Sequence, residues 1–116
     1  MLLTLLKSKI NPATVTETHL EYEGSITVAA DVAEAAGLVP TEQVHVLNLS
    51  NGERLVTYAI LGERGSGVIC LNGPAARTGL VGDRVTVLSY AQMTEEEARG
   101  WRPRLVRLDD RNKPIA

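Results

Sequence analysis

The pair Gly24–Ser25 puts unusual chemistry within reach of this chain. The Ser25 hydroxyl lies one residue from the Gly24 carbonyl. If the backbone bends, Oγ attacks that carbonyl through a five-membered ring, and the link shifts from amide to ester. Such intramolecular placement is worth effective molarities of about 10⁵ M or more when geometry is good. Glycine leaves its carbonyl uncrowded and tolerates strained backbone. Elimination from the ester would release the Gly24 carboxylate and leave dehydroalanine, which hydrolysis converts to a pyruvoyl group. That ketone can form an imine with an amine and accept electrons as a carboxylate leaves, the role usually filled by pyridoxal phosphate. The same dipeptide is also an ordinary turn, because both residues favour loops. The surrounding residues must separate the two readings.

The elements around it read mainly as short strands. Thr14–Thr18 is β-branched and alternating, and Ser25–Val28 resumes the pattern after Gly24. Val44–Leu49 and Arg54–Ile60 flank Asn51-Gly52, a strong hairpin signal. Gly67–Leu71, Asp83–Tyr90 and Arg104–Leu108 complete the strands. Helices are short. Asp31–Ala36 stops at Gly37, Thr94–Glu97 has capping-box spacing, and Pro74 suits the first turn of a third. Many strands with a few small helices predict a mainly β chain closed into a small barrel. The polar tail Asp109–Pro114 reads as loose.

Composition bounds the function. At 116 residues the chain is a single domain, and it has no Phe, so Val, Leu, Ile and Ala must fill the core. A net charge of −2 gives no pull toward nucleic acid or an anionic membrane. The single cysteine, Cys70, sits among Val68, Ile69 and Leu71 and reads as a buried inert thiol. The apolar start Met1–Leu6 precedes Lys7 and Lys9, the wrong order for a secretory leader, and no stretch is long enough to span a bilayer. The expected location is the cytoplasm. His19 and His45 lack partners at ligand spacing, so no metal is expected. Gly62–Gly67 lacks the strand-to-helix context of a phosphate loop and reads as a tight turn. Glu95–Glu97 reads as a solvated first turn. A serine hydrolase finds no Gly-x-Ser-x-Gly elbow.

Several stretches in fixed order decide between the two readings of Gly24–Ser25. They are Leu6–Ile10, Tyr22–Ser25, Asn51–Ile60, Gly62–Gly67, Leu71–Ala76, Gly82-Asp83 and Glu97–Arg99. Together they closely resemble the pyruvoyl-dependent aspartate 1-decarboxylases across nearly the whole chain. The resemblance implies a closed six-stranded double-psi β-barrel and a homotetramer with active sites at subunit interfaces. It implies self-cleavage of one domain, residues 1–116, into 1–24 and 25–116. It implies conversion of L-aspartate to β-alanine and CO₂, feeding pantothenate and coenzyme A synthesis, with no metal and no pyridoxal phosphate. Whether a maturation factor assists stays open in the sequence.

Roles follow by position in the same resemblance. Ser25 would be the pyruvoyl precursor and imine-forming carbonyl, Gly24 and Ser25 the cleavage site, and Tyr58 the proton donor. Thr57 would assist cleavage and contact substrate. Lys9, Arg54, Asn72, Gly73, Pro74 and Ala75 would bind substrate. Arg54 suits the side-chain carboxylate, since a guanidinium fork grips carboxylates bidentately. Lys9 is left near the α-carboxylate. On a regular strand Arg54, Val56 and Tyr58 share a face while Thr57 points the other way, so one pocket using both needs a bulge, a strand end or a second subunit. Two departures stand out. Asn11 replaces a histidine common in the family, and Pro74 replaces an alanine and removes a backbone N–H that only Ala75 can then supply. The competing class is an unprocessed β-barrel binding module with Gly24–Ser25 as a loop.

Overall fold

Alternating β-branched residues build most of the molecule. A computed structural model describes residues 1–115. In chain order the elements are β1 (Leu2–Thr14), β2 (Glu17–His19), β3 (Ser25–Ala29), α1 (Ala30–Ala36), β4 (Gln43–Asn48) and β5 (Arg54–Gly62). There follow β6 (Ile69–Asn72), a 3₁₀ turn (Gly73–Arg77), β7 (Arg84–Thr94), α2 (Glu95–Arg99), β8 (Arg104–Leu108) and β9 (Pro114–Ile115). The mainly β, small-barrel class is therefore observed.

The strands form one nine-stranded ladder in the order β2-β6-β3-β5-β4-β7-β1-β8-β9. No ladder hydrogen bonds close its ends among the described residues. The chain itself supplies the closure. Only Val15 and Thr16 separate β1, which pairs with β7, from β2, which pairs with β6. Taken as one bent strand, β1 and β2 complete a ring of six with β6, β3, β5, β4 and β7. The joint is tied down on both sides: Thr16 N–H donates to Ile69 O at 2.8 Å, and Val15 N–H to Asp83 O at 2.9 Å.

The interior holds Ile10, Ile26, Val28, Val44, Val46, Ile69, Leu71, Val85 and Val87, all essentially inaccessible. Each such side chain stabilises the fold by roughly 1.5–3 kcal/mol relative to exposure. Helix α1 adds Val32, Ala33 and Ala36 and ends at Gly37, whose φ of 72° requires glycine's freedom. Helix α2 starts with the expected capping box between Thr94 and Glu97.

Two expectations are corrected, for Thr14–Thr18 and for the tail, and one segment with no predicted element proves to be a strand. Thr14–Thr18 is not one strand, because the chain bends at Val15–Thr16 to change partners. The apolar start is the first half of β1, where Leu2–Leu6 pairs with Tyr90–Thr94. The tail is pinned rather than loose. Asn112 Nδ2 donates to Thr14 O and Gly67 O, both at 2.8 Å, and β9 pairs with β8. The Asn51-Gly52 turn does join β4 to β5, with Gly52 at φ 80°.

Candidate active site

Ser25 opens β3, the point where the turn after β2 enters the sheet. Its side chain is fully buried. The register explains its company. Ser25 pairs with Asn72 and Thr27 with Cys70 across β3–β6, while Cys70 pairs with Glu17 and Asn72 with His19 across β6–β2. Paired residues share a face. The result is a small grid with rows Glu17–Cys70–Thr27 and His19–Asn72–Ser25, turned away from the interior residues Ile26, Ile69 and Leu71.

Asn72 is the hub of that grid. Its Nδ2 donates to Ser25 Oγ at 3.0 Å and to Thr27 Oγ1 at 2.9 Å. Its Oδ1 accepts from Cys70 Sγ at 3.1 Å. The Ser25 hydroxyl in turn donates to Glu23 O at 3.3 Å. Burial, with the Glu17 carboxylate second, pushes the Cys70 thiol up to about 11, so it stays protonated at neutral pH. Neither histidine bonds to Ser25 among the described residues. The base that a serine hydrolase needs is missing from the hydroxyl's contacts.

Gly24 is pressed from the other side by the turn after β6. A Cβ on Gly24 would meet Pro74 Cδ at 3.3 Å. Gly73 has φ +64°, and a Cβ there would lie 2.5 Å from Tyr22 O and 2.7 Å from Gly24 N. Only glycine fits such an approach. Ala75 follows, nearly buried, in the same turn. Gly24, Ser25, Asn72, Gly73, Pro74 and Ala75 therefore gather in one chain.

The other sequence-predicted residues divide. Ile26 pairs with Ala59 in the parallel β3–β5 ladder, so Tyr58 is level with Ser25 on the next strand. Thr57 pairs with Val44 on the inward side, opposite Tyr58, as strand periodicity requires. Arg54 lies four residues up β5 from Tyr58, roughly 13 Å at strand rise. It is exposed, and its Nη1 donates to His45 Nδ1 at 3.2 Å. Lys9 lies on β1, which is not hydrogen-bonded to β3. It lines a surface cavity of about 220 Å³ with Asn11, Leu105, Val106 and Arg107. It has no ion pair among the described residues, whereas Lys7 bonds Glu42 at 2.7 Å. Asn11 accepts from Thr86 Oγ1 at 2.8 Å, a neutral contact where the family often has imidazole.

Strand pairing also assembles something that spacing along the chain hid. Glu17, His19 and Cys70 bring donor atoms within 4.8 Å of one another. His19 Nε2 lies 3.1 Å from Glu17 Oε2, and its ring stacks on Tyr22 at 4.7 Å. The Cys70 hydrogen is already committed to Asn72. Sequence reasoning missed Thr27 and Cys70 as partners of Asn72. Their signal was the period-two pattern that puts Cys70 and Asn72 on one face of β6.

Fold and site together define a small β-barrel protein whose candidate chemistry centres on the Gly24–Ser25 peptide bond. A family model described as aspartate decarboxylase matches residues 1–115. Curated relatives named aspartate 1-decarboxylase are similar over almost all of the chain. The protein from Pelotomaculum thermopropionicum is 57% identical over 115 residues, covering 99% of this chain and 87% of the relative. Those from Caldicellulosiruptor saccharolyticus and Carboxydothermus hydrogenoformans are 54% and 51% identical, each covering 99% of this chain and 90% and 91% of the relative. The chain belongs to the aspartate decarboxylase family and is a decarboxylase. An enzyme, rather than a binding module, is the class these matches support. No helix among the described residues is long and apolar enough to cross a membrane.

Proposed function

We propose that this chain cuts itself between Gly24 and Ser25, and that the product removes the α-carboxylate of L-aspartate to give β-alanine and CO₂. The observation that carries the reading is the buried Ser25 hydroxyl, held between Asn72 Nδ2 and Glu23 O beside a Gly24 backbone that Gly73 and Pro74 press from outside. Ser25 Oγ attacks the Gly24 carbonyl carbon, the C–N bond breaks, and the hydroxyl proton passes to the Ser25 nitrogen, which becomes a free amine. Loss of the Ser25 Cα proton then expels the Gly24 carboxylate. Water replaces the nitrogen, which leaves as ammonia. The fragments are residues 1–24 and 25–116.

The surroundings fit a pyruvoyl group at residue 25. The side chains bonded to one another at Ser25 are an amide, hydroxyls and a thiol held protonated, and none is an amine that would condense with a ketone. Such a group supplies an electron sink for the substrate amine as CO₂ departs. Asn72 orients from one side. Tyr58, level with residue 25 on the neighbouring strand, returns a proton to the substrate carbon. The resemblance gives Thr57 a part in cleavage, although its side of β5 is the inward one, and Ala75 offers its N–H to substrate where Pro74 has none.

Lys9 and Arg54 lie on other strands than Ser25 and neither bonds to it among the described residues, and we place the substrate carboxylates against these cations at a subunit contact. The outward row beside them supports such a contact: Val56 is 51% exposed, Ile60 40% and Leu105 67%. A homotetramer in the cytoplasm, serving pantothenate synthesis, is the assembly and setting the resemblance implies. One experiment tests the core of this reading. Purified chain is warmed and followed by denaturing gel and intact mass. Two fragments, the larger blocked at its amino terminus, are expected, together with β-alanine formation. Ser25→Ala should abolish both, and activity surviving that change would refute the pyruvoyl mechanism.

A further inference from the structure

The Asn72 amide can sit in its place in two ways. As found, both N–H groups face hydroxyls, Ser25 Oγ and Thr27 Oγ1, and Oδ1 faces Cys70. Turned over, Oδ1 would face two hydroxyl oxygens, one of which already donates elsewhere, to Glu23 O. Whatever lies under Oδ1 therefore decides which end of the amide meets Ser25. A donor there locks the observed orientation, and a methyl group would not.

That position is held by Cys70. Its neighbours Ile69 and Leu71 belong to the apolar core cluster, but Cys70 does not, because its side chain lies on the Asn72 face of β6. Cys70 is only 2% exposed and has a hydrogen to give. We propose that Cys70 is a positioning residue for self-cleavage: its S–H, donated to Asn72 Oδ1, holds both amide N–H groups on Ser25 Oγ and Thr27 Oγ1. The inference rests on the self-cleavage reading. It assigns to Cys70 no contact with the reacting atoms.

Packing and positioning predict opposite rankings. If Cys70 only fills space, alanine leaves a small apolar site and serine buries a more polar group, so Cys70→Ser is the worse variant. If Cys70 is a donor, serine keeps the hydrogen and rescues. Freshly synthesised precursor of wild type, Cys70→Ser and Cys70→Ala is followed by gel, with melting temperatures measured alongside. Cys70→Ser should cleave within about twofold of wild type, and Cys70→Ala about tenfold more slowly, the effect of one lost neutral hydrogen bond. Cleavage of Cys70→Ala at the wild-type rate, or of Cys70→Ser more slowly than Cys70→Ala, overturns the proposal. A second arm works without cleavage. In the Ser25→Ala background, water exchange of the Asn72 side-chain amide protons is read by NMR. Faster exchange in Cys70→Ala than in Cys70→Ser supports positioning, and equal exchange overturns it. Should wild type stay intact, the cleavage reading falls while the amide arm still decides the role of Cys70.

Discussion

Gly73→Ala is the sharpest perturbation of the contact that holds the Gly24 backbone. Two costs can be separated. The first is the left-handed backbone, φ +64°, which charges an alanine about 1 kcal/mol. The second is the clash. The new Cβ would stand 2.5 Å from Tyr22 O, 2.7 Å from Gly24 N and 2.9 Å from Gly24 Cα. Ordinary contact begins at 3.4 Å, so the shortfall is 3.4 − 2.5 = 0.9 Å. All three atoms are backbone, so relief means moving the 22–24 segment. Overpacking of this kind costs about 1–3 kcal/mol, giving about 2–4 kcal/mol in total. Gly52 isolates the first cost, since it has φ +80° with nothing within 4 Å. Gly52→Ala should therefore cost only about 1 kcal/mol. Both variants are compared by urea unfolding in a Ser25→Ala background, where every chain is intact. With Ser25 restored, Gly73→Ala should slow cleavage by about 100-fold, the effect of an ångström-scale misplacement. If Gly73→Ala unfolds at the same urea concentration as Gly52→Ala and cleaves normally, the argument from close approach is wrong.

Three further outcomes follow from other parts of the molecule. Asn112→Ala removes two donated hydrogen bonds and one accepted from Thr14 N, and should lower stability by about 2–4 kcal/mol in urea titrations. Cys70 should resist thiol reagents at pH 8 in the folded chain and react rapidly once unfolded, because burial raises its pKa to about 11 and leaves roughly a thousandth as thiolate. Asp83 is held below the usual carboxylate range, first by Asn48 and then by the Leu80 N–H. A depressed folded pKa adds stability above the unfolded value of 3.8 that is lost as pH falls through the lower folded value. The urea midpoint should therefore fall below about pH 4, and Asp83→Asn should flatten that fall.

What the sequence carried is clearest in β5. Its alternation placed Arg54 and Tyr58 on one face and Thr57 on the other, and the observed register agrees. The Thr94 capping box and the Gly37 stop were equally readable, because both are set within a few residues. β1 was not, since Leu2–Leu6 has no alternation and its partner Tyr90–Thr94 lies far along the chain. The hub role of Asn72 was hidden for the same reason. Two of its partners, Ser25 and Thr27, come from β3, which only pairing brings alongside, and the third, Cys70, stands two residues back on the same face of β6. Cys70 was read from its apolar neighbours in sequence, which point the opposite way. The offset of Arg54 from Ser25 is set by its place along β5, four residues from Tyr58, and is invisible in a list of matched residues.

The bend at Val15–Thr16 has a consequence for the life of the molecule after the cut. Residues 1–24 contribute β1, clasped between β7 and β8, and β2, which completes the ring. The proposed break after Gly24 would therefore leave a short peptide woven through the larger one, held by strand pairing and by the packing of Ile10, Ala13 and Val15 with no covalent link. The native shape persists, but the instructions for reaching it now reside in two molecules. Folding must come first and cutting second. A matured protein that is melted and diluted has to find its missing strand by encounter, so its recovery should depend on concentration where that of the uncut Ser25→Ala chain does not.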